Sequence, residues 1–133
     1  MKLNKLIVFL TLTVGVFANN IYAVAKNTAG YYLSDPTCVG KVVTLNITES
    51  SPSHFKPING YTCFLCYTAS YTELGDCAWV YVPDSYAKSF YRNYGKVKAK
   101  ATVNGKSKHE WEIKPIRVKV VSLGDQIVFV VVK

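Results

Sequence analysis

Val82-Pro83-Asp84-Ser85-Tyr86-Ala87-Lys88-Ser89-Phe90-Tyr91-Arg92-Asn93-Tyr94-Gly95 is the stretch on which the fold of this 133-residue chain turns. Val82 closes a run of β-formers. Pro83 cannot donate to a strand ladder, so the β pattern stops there. Asp84 or Ser85 can cap a helix, which predicts a short one over Tyr86–Tyr94. Gly95 stands where a helix C-terminus favours glycine. Elsewhere Tyr, Val, Thr and Ile are frequent and helical periodicity is scarce, so the remainder reads as strands.

Upstream, Asn27 to Pro36 is a polar leader containing Tyr31-Tyr32. Lys41–Ile47 alternates as a first strand. Glu49–Gly60, with its Ser, Pro, Asn and Gly, predicts a long loop. Tyr61–Ser70 is a second strand, Gly75-Asp76 a turn, and Cys77–Val82 a third strand.

Downstream, Lys96–Val103 alternates cleanly. Val97, Ala99, Ala101 and Val103 share one face; Lys96, Lys98, Lys100 and Thr102 share the other. A two-residue turn at Asn104-Gly105 would set Lys98 against Trp111 and Val97 against Glu112. A three-residue loop, Asn104–Lys106, sets Val97 against Ile113, Ala99 against Trp111 and Ala101 against His109. Lys98 then meets Glu112 and Lys100 meets Glu110, so this register is preferred. Pro115 breaks the ladder. The inward set then becomes Ile116, Val118 and Val120, which implies a bulge or bend near Lys114-Pro115. A last strand, Gln126–Val132, follows Gly124-Asp125.

Three strands, a helix and two strands is the order of an OB-fold. The residues Pro83-Asp84-Ser85, Ala87-Lys88-Ser89-Phe90-Tyr91, Tyr94-Gly95-Lys96-Val97-Lys98 and Ile116-Arg117-Val118-Lys119-Val120 resemble the second half of small exported bacterial OB domains. The expected class is therefore all-β with one short helix: an OB-fold-like, five-stranded Greek-key barrel plus a C-terminal strand.

The N-terminus reads as an export signal. Lys2 and Lys5 precede an apolar run from Leu6 to Phe17, shorter than the roughly 20 residues of a membrane span. Ala23-Val24-Ala25 then offers a cleavage site. The expected organisation is a signal peptide over residues 1–25 and one OB-like domain over residues 26–133, periplasmic or secreted. No apolar run after the cut is long enough to span a bilayer. The net charge is +8, and it is uneven. Residues 26–87 carry three Lys against five acids, whereas residues 88–133 carry eleven Lys and Arg against three. The basic character belongs to the C-terminal half.

Cys38, Cys63, Cys66 and Cys77 all lie in the exported part, and an even count in an oxidising compartment predicts two disulfides. Cys63 and Cys66 have redox or zinc spacing, but they sit inside a strand pattern. Residues three apart on a strand face opposite ways and lie about 10 Å apart, too far to bond to each other. Each then needs Cys38 or Cys77 as its partner. Cys63–Cys77 with Cys38–Cys66 is the preferred arrangement. A four-Cys metal site would want a second close pair, so no metal is expected.

His54 and His109 have no acid or nucleophile at a suggestive spacing. No phosphate loop or paired-carboxylate pattern accompanies them. No enzyme activity and no cofactor are expected. The basic hairpin offers an anion-binding face, but export and the Lys–Glu cross-strand pairs argue against nucleic acid. Ten Tyr and two Trp suit sugar stacking and protein interfaces as well as a core rim.

Tyr31-Tyr32-Leu33-Ser34-Asp35 is similar to the tyrosine–serine segment of the pertussis-like group of AB5 toxin B subunits. Ala87-Lys88-Ser89-Phe90-Tyr91 resembles the end of that group's pore-lining helix. The resemblance implies glycan recognition, assembly into an oligomer, and a match of Cys63 and Cys77 to that group's hairpin disulfide. The expected function is a non-enzymatic exported module that binds a glycan or a protein partner. Its candidate ligand residues are Tyr31, Tyr32, Ser34, Tyr91, Lys96, Lys98 and Lys100. The alternatives are a periplasmic structural or inhibitory protein that docks to an envelope protein through a loop such as Glu49–Gly60, and an anion- or nucleic-acid-binding module that uses the basic hairpin.

Overall fold

The computed structural model describes residues 25–70, 73–95 and 112–132. Residues 1–24 of the expected signal peptide, the expected strand Lys96–Val103 and its turn, and His109 to Trp111 lie outside the described residues. In chain order the elements are α1 (Ala29–Leu33), a 3₁₀ turn (Pro36–Cys38), β1 (Val42–Ser53), β2 (Tyr61–Ala69), β3 (Leu74–Pro83), α2 (Asp84–Tyr94), β4 (Lys114–Leu123) and β5 (Gln126–Val131). The strands close a barrel in the order β1-β2-β3-β5-β4 and back to β1. β3 and β5 run parallel, and the other neighbours are antiparallel. With the helix between β3 and β4, this is an OB-like barrel.

The allocation of strands differs from the expectation in one respect. The strand expected as a C-terminal addition is β5 itself. It closes the barrel by pairing Phe129 with Val80 and Val130 with Tyr81.

β1 runs six residues past its expected end at Ile47 and takes in half of the expected loop. It pairs with β4 from Val42 to Ile47, then with β2 from Ile47 to Ser53. A register shift between Ile47 and Glu49 marks the change of neighbour. Such a bulge bends the strand and switches which side chains face inward. Val43, Leu45 and Ile47 give way to Ser50, which is buried. Past the bulge β1 pairs only with β2 among the described residues, so the missing N–H of Pro52 costs little there.

The interior follows the pleat. Phe64 and Cys66 of β2, Ala78, Val80 and Val82 of β3, Val118 and Val120 of β4, and Phe129 and Val131 of β5 share one buried cluster. Each fully buried Val, Leu or Phe contributes about 1.5–3 kcal/mol. The helices stop the two ends. α2 inserts Phe90, whose ring lies 4.9 Å from that of Phe64. α1 inserts Tyr32, 6.3 Å from Phe129.

α1 occupies sequence expected as an irregular leader. Five residues are too few to hold a helix unaided, and tertiary contacts hold this one. The Ala29 N–H donates to Thr68 Oγ1 at 2.9 Å, and Thr28 caps the first turn. Gly75, expected in a turn, lies inside β3. Its smallness is needed because a Cβ there would come 2.6 Å from Thr28 Cβ. Before β3, the Ser70 N–H donates to Glu73 O at 2.8 Å.

α2 starts at Asp84 without a side-chain cap. Asp84 instead accepts from Thr62 Oγ1 at 2.8 Å, and its charge suits the helix N-terminus. Gly95 keeps a negative φ of −75°. Glycine is needed there because a Cβ would collide with the Tyr91 carbonyl.

The expected disulfides are not present. Cys38, Cys63, Cys66 and Cys77 are all free. The ladder sets Cys63 opposite Tyr81 and Cys77 opposite Tyr67. The two cysteines are thus four rungs apart, roughly 13 Å, whereas a disulfide needs Cα atoms about 4.4–6.8 Å apart. Cys66 lies 3.1 Å from Ser50 Oγ, and the Cys38 thiol donates to Asp35 at 3.7 Å. The parity argument does hold, since Cys66 is in the interior cluster and Cys63 in a separate one outside it.

Candidate functional site

The outer face of the barrel is not wholly polar. Trp79 and Tyr81 of β3 and Val128 and Val130 of β5 point away from the interior, so part of this face needs a cover. The loop over residues 54–60 supplies it. Phe55 and Ile58 join Cys63, Tyr81 and Val128 in a second apolar cluster, with Trp79, Val121, Leu123 and Val130 packed around it. Phe55 stacks on Trp79 with ring centroids 4.3 Å apart. The Tyr81 hydroxyl lies within donating distance of two loop carbonyls, Phe55 O at 3.0 Å and Lys56 O at 2.7 Å. Lys56 takes a φ of +31°, an uncommon conformation that its surroundings must hold. Its ammonium reaches Asp125 in the β4–β5 turn at 3.5 Å. The β1–β2 loop is therefore tied to β3, and its tip meets the β4–β5 turn.

Burial governs the titration of the groups beneath. It pushes Tyr81 up to about 12, helped by the neighbouring Cys63. It pushes Cys66 up to about 12, partly opposed by the Ser50 hydrogen bond. It also raises Cys63, with Tyr81 and Ser53 opposing. All three groups stay protonated at neutral pH, which makes the thiols poor nucleophiles.

Beside the loop lies a cleft of about 280 Å³. Pro52, Phe55, Ile58 and Tyr61 form its apolar walls, and Ser53 and Thr62 bring hydroxyls to its edge. None of the nine lining residues is Lys, Arg, Asp or Glu. A second feature runs along the outer side of the β2–β3 hairpin. Tyr67 is half exposed opposite Cys77, and Leu65 pairs with Trp79. In OB-folds the β2–β3 face and the loops after β1 and β4 are where oligosaccharides and oligonucleotides bind.

The residues singled out from sequence do not converge. Tyr31 is exposed on α1. Ser34 follows it at the helix C-terminus, with its hydroxyl donating to Tyr31 O. Tyr32 is buried, and its hydroxyl lies 2.8 Å from Asn27 Oδ1 and 2.7 Å from Thr44 O. It therefore belongs to the plug of the barrel and not to a ligand face. Tyr91 is exposed on α2 and stacks over Phe64 at 5.9 Å. α1 packs near Gly75 and α2 starts beyond Pro83, so Tyr31 and Tyr91 lie towards opposite ends of β3. Lys96, Lys98 and Lys100 lie outside the described residues.

The sequence marks Glu49–Gly60 as a candidate docking loop but none of its residues as ligand-binding, although a signal exists. Ala78-Trp79-Val80-Tyr81-Val82 and Ile127-Val128-Phe129-Val130-Val131 are apolar at consecutive positions, the mark of strands buried on both faces. Among the described residues no three His, Cys, Asp or Glu side chains form a group able to hold a metal ion. Also among them, no helix is long and apolar enough to cross a membrane. No family model matches the chain, and no curated protein or solved structure is significantly similar to it.

Proposed function

We propose that this protein is an exported, non-enzymatic OB-fold binding module that recognises a glycan, with its ligand surface where the β1–β2 loop meets the β2–β3 face. The observation that carries this is the Phe55–Trp79 stack. It ties an apolar-walled loop to the strand face that OB-folds use for ligands, beside the half-exposed Tyr67. Rigid aromatic surface with polar tips suits sugar rings. Export rests on the leader, Lys2 to Ala25, and on nothing in the barrel. The glycan class also draws on the sequence likeness of Tyr31-Tyr32-Leu33-Ser34-Asp35 to pertussis-like B subunits, of which Tyr31 is exposed whereas Tyr32 is buried and the matched Cys63 and Cys77 are unpaired.

The test is a glycan array probed with the processed protein, run beside a pull-down from envelope extract. Glycan hits that are lost on Trp79→Ala support the proposal. A blank array with one envelope protein captured would replace it with a docking role. Light scattering that shows only a monomer would remove the oligomeric, toxin-subunit form and leave the module.

A further inference from the structure

We infer that the cleft beside the β1–β2 loop is a subsite for one neutral pyranose ring, the terminal sugar of a glycan. This rests on the proposal of a glycan-binding module and gives it a place and a chemistry. Three observations carry it.

The first is size. About 280 Å³ lies just below the usual range of ligand pockets, which is about 300–1,000 Å³. That is room for one ring and not for a chain of them.

The second is the lining. Tyr61, Phe55, Pro52 and Ile58 offer apolar surface to the C–H face of a sugar. The edge groups serve its hydroxyls. Ser53 Oγ accepts from the Phe55 N–H and also hydrogen-bonds the Cys63 thiol, so its hydroxyl is held in place at the cleft edge. Thr62 Oγ1 gives its proton to Asp84 and keeps lone pairs to accept. The walls carry no Lys or Arg, and the nearby Lys56 is turned onto Asp125. His54 also lines the cleft and can hydrogen-bond a sugar hydroxyl. With no Lys or Arg in the walls, a carboxylate would have no permanent cation to offset its lost water, which disfavours acidic sugars.

The third is preorganisation. The loop wall is held by the Phe55–Trp79 stack and by the Tyr81 hydroxyl at two carbonyls. A wall already ordered lowers the entropic cost of binding a small ligand.

The experiment is an amide NMR titration of the processed protein with methyl glycosides of glucose, galactose, mannose and N-acetylglucosamine. Methyl glucuronoside and N-acetylneuraminic acid are the acidic comparators, and N-acetyltyrosine amide is the peptide comparator. One neutral glycoside should shift the amides between Ser53 and Thr62 with millimolar saturation. Tyr61→Ala should weaken it by at least about tenfold, the equivalent of one lost contact of ~1.4 kcal/mol. Tyr91→Ala, towards the other end of β3 from α1 and outside the cleft lining, should leave it unchanged. Ile58→Ser, from the loop side, should weaken it as Tyr61→Ala does. Cleft shifts confined to acidic sugars, or larger with N-acetyltyrosine amide, overturn the inference. Sugar shifts centred on Tyr31 or Tyr67 also overturn it, while leaving the module proposal standing. No response to any sugar, together with a blank array, sinks both.

Discussion

Phe55 lies flat against Trp79, with ring planes 5° from parallel. One ring belongs to a loop and the other to the outer face of β3, so the contact joins the most irregular part of the described chain to the barrel wall. Removing it should free the loop. A fully buried Phe→Ala change costs about 3–5 kcal/mol, and Phe55 is only partly buried, so Phe55→Ala should cost roughly half of that. Urea midpoints and amide exchange over residues 54–60 are the measurements. Lys56→Ala breaks an exposed ion pair and should cost at most about 1 kcal/mol. If the lysine change costs more, charge and not stacking holds the loop.

Tyr81→Phe should destabilise the protein by about 1–2 kcal/mol, since it leaves the carbonyls of Phe55 and Lys56 without their donor. Amide exchange at Phe55, Lys56 and Ile58 should rise more than exchange in β4. A uniform rise would show that the hydroxyl acts on the whole barrel.

Stability should fall in alkali. Cys66 and Tyr81 hold their protons up to about 12 in the folded chain, against 9.0 and 10.0 when unperturbed. Their contribution is complete below pH 9 and is lost as pH rises towards 12. Each extra proton bound by the folded state gives a slope of about 1.4 kcal/mol per pH unit. Cys66→Ala should flatten the slope just above pH 9, below the 10.0 at which an unperturbed Tyr81 would begin to contribute. An unchanged slope there would rule out the buried thiol as the cause.

Thiol labelling should follow exposure. Cys77 is exposed, and Cys66 is fully buried. Iodoacetamide at pH 8 should modify Cys77 first and Cys66 only on unfolding, as read by mass spectrometry of peptides. Labelling of Cys66 at the rate of Cys77 would mean that the β2–β3 ladder opens readily.

Gly75→Ala should push α1 from its seat, because the new methyl would meet Thr28 at 2.6 Å. Overpacking of this kind costs about 1–3 kcal/mol. A lower melting temperature should accompany a changed near-ultraviolet signal from Tyr32. An unaltered melting temperature would place α1 elsewhere.

Much of the architecture could be read in the chain. The β2 and α2 segments fall within two residues of their expected positions, because β-branched runs, Pro83 and Gly95 act over a few residues. Ile116, Val118 and Val120 point inward as their alternation requires. The extension of β1 through Glu49-Ser50-Ser51-Pro52-Ser53 was not legible. Its polar residues earn strand geometry only by pairing with β2. α1 was hidden for the same reason, since Thr68 and Phe129 hold it from far along the chain.

The candidate site was less legible still. Tyr32 looks like a ligand residue in the segment Tyr31-Tyr32-Leu33-Ser34, and only the packing shows its ring inside the barrel. The outer apolar positions of β3 and β5 announced a buried second face, but nothing local said that residues 54–60 would cover it.

By itself the sequence determined the class of fold, the helix α2, the turn at Gly124-Asp125 and the opposite facing of Cys63 and Cys66. These follow from side-chain period and backbone sterics, which act between near neighbours. Tertiary structure decided that the last strand closes the barrel beside β3, that Cys63 and Cys77 stand too far apart to join, and that Phe55 meets Trp79. Those facts depend on which distant segments pair and in what register, and a chain's local periodicity says which face a residue takes without saying which strand lies next to it.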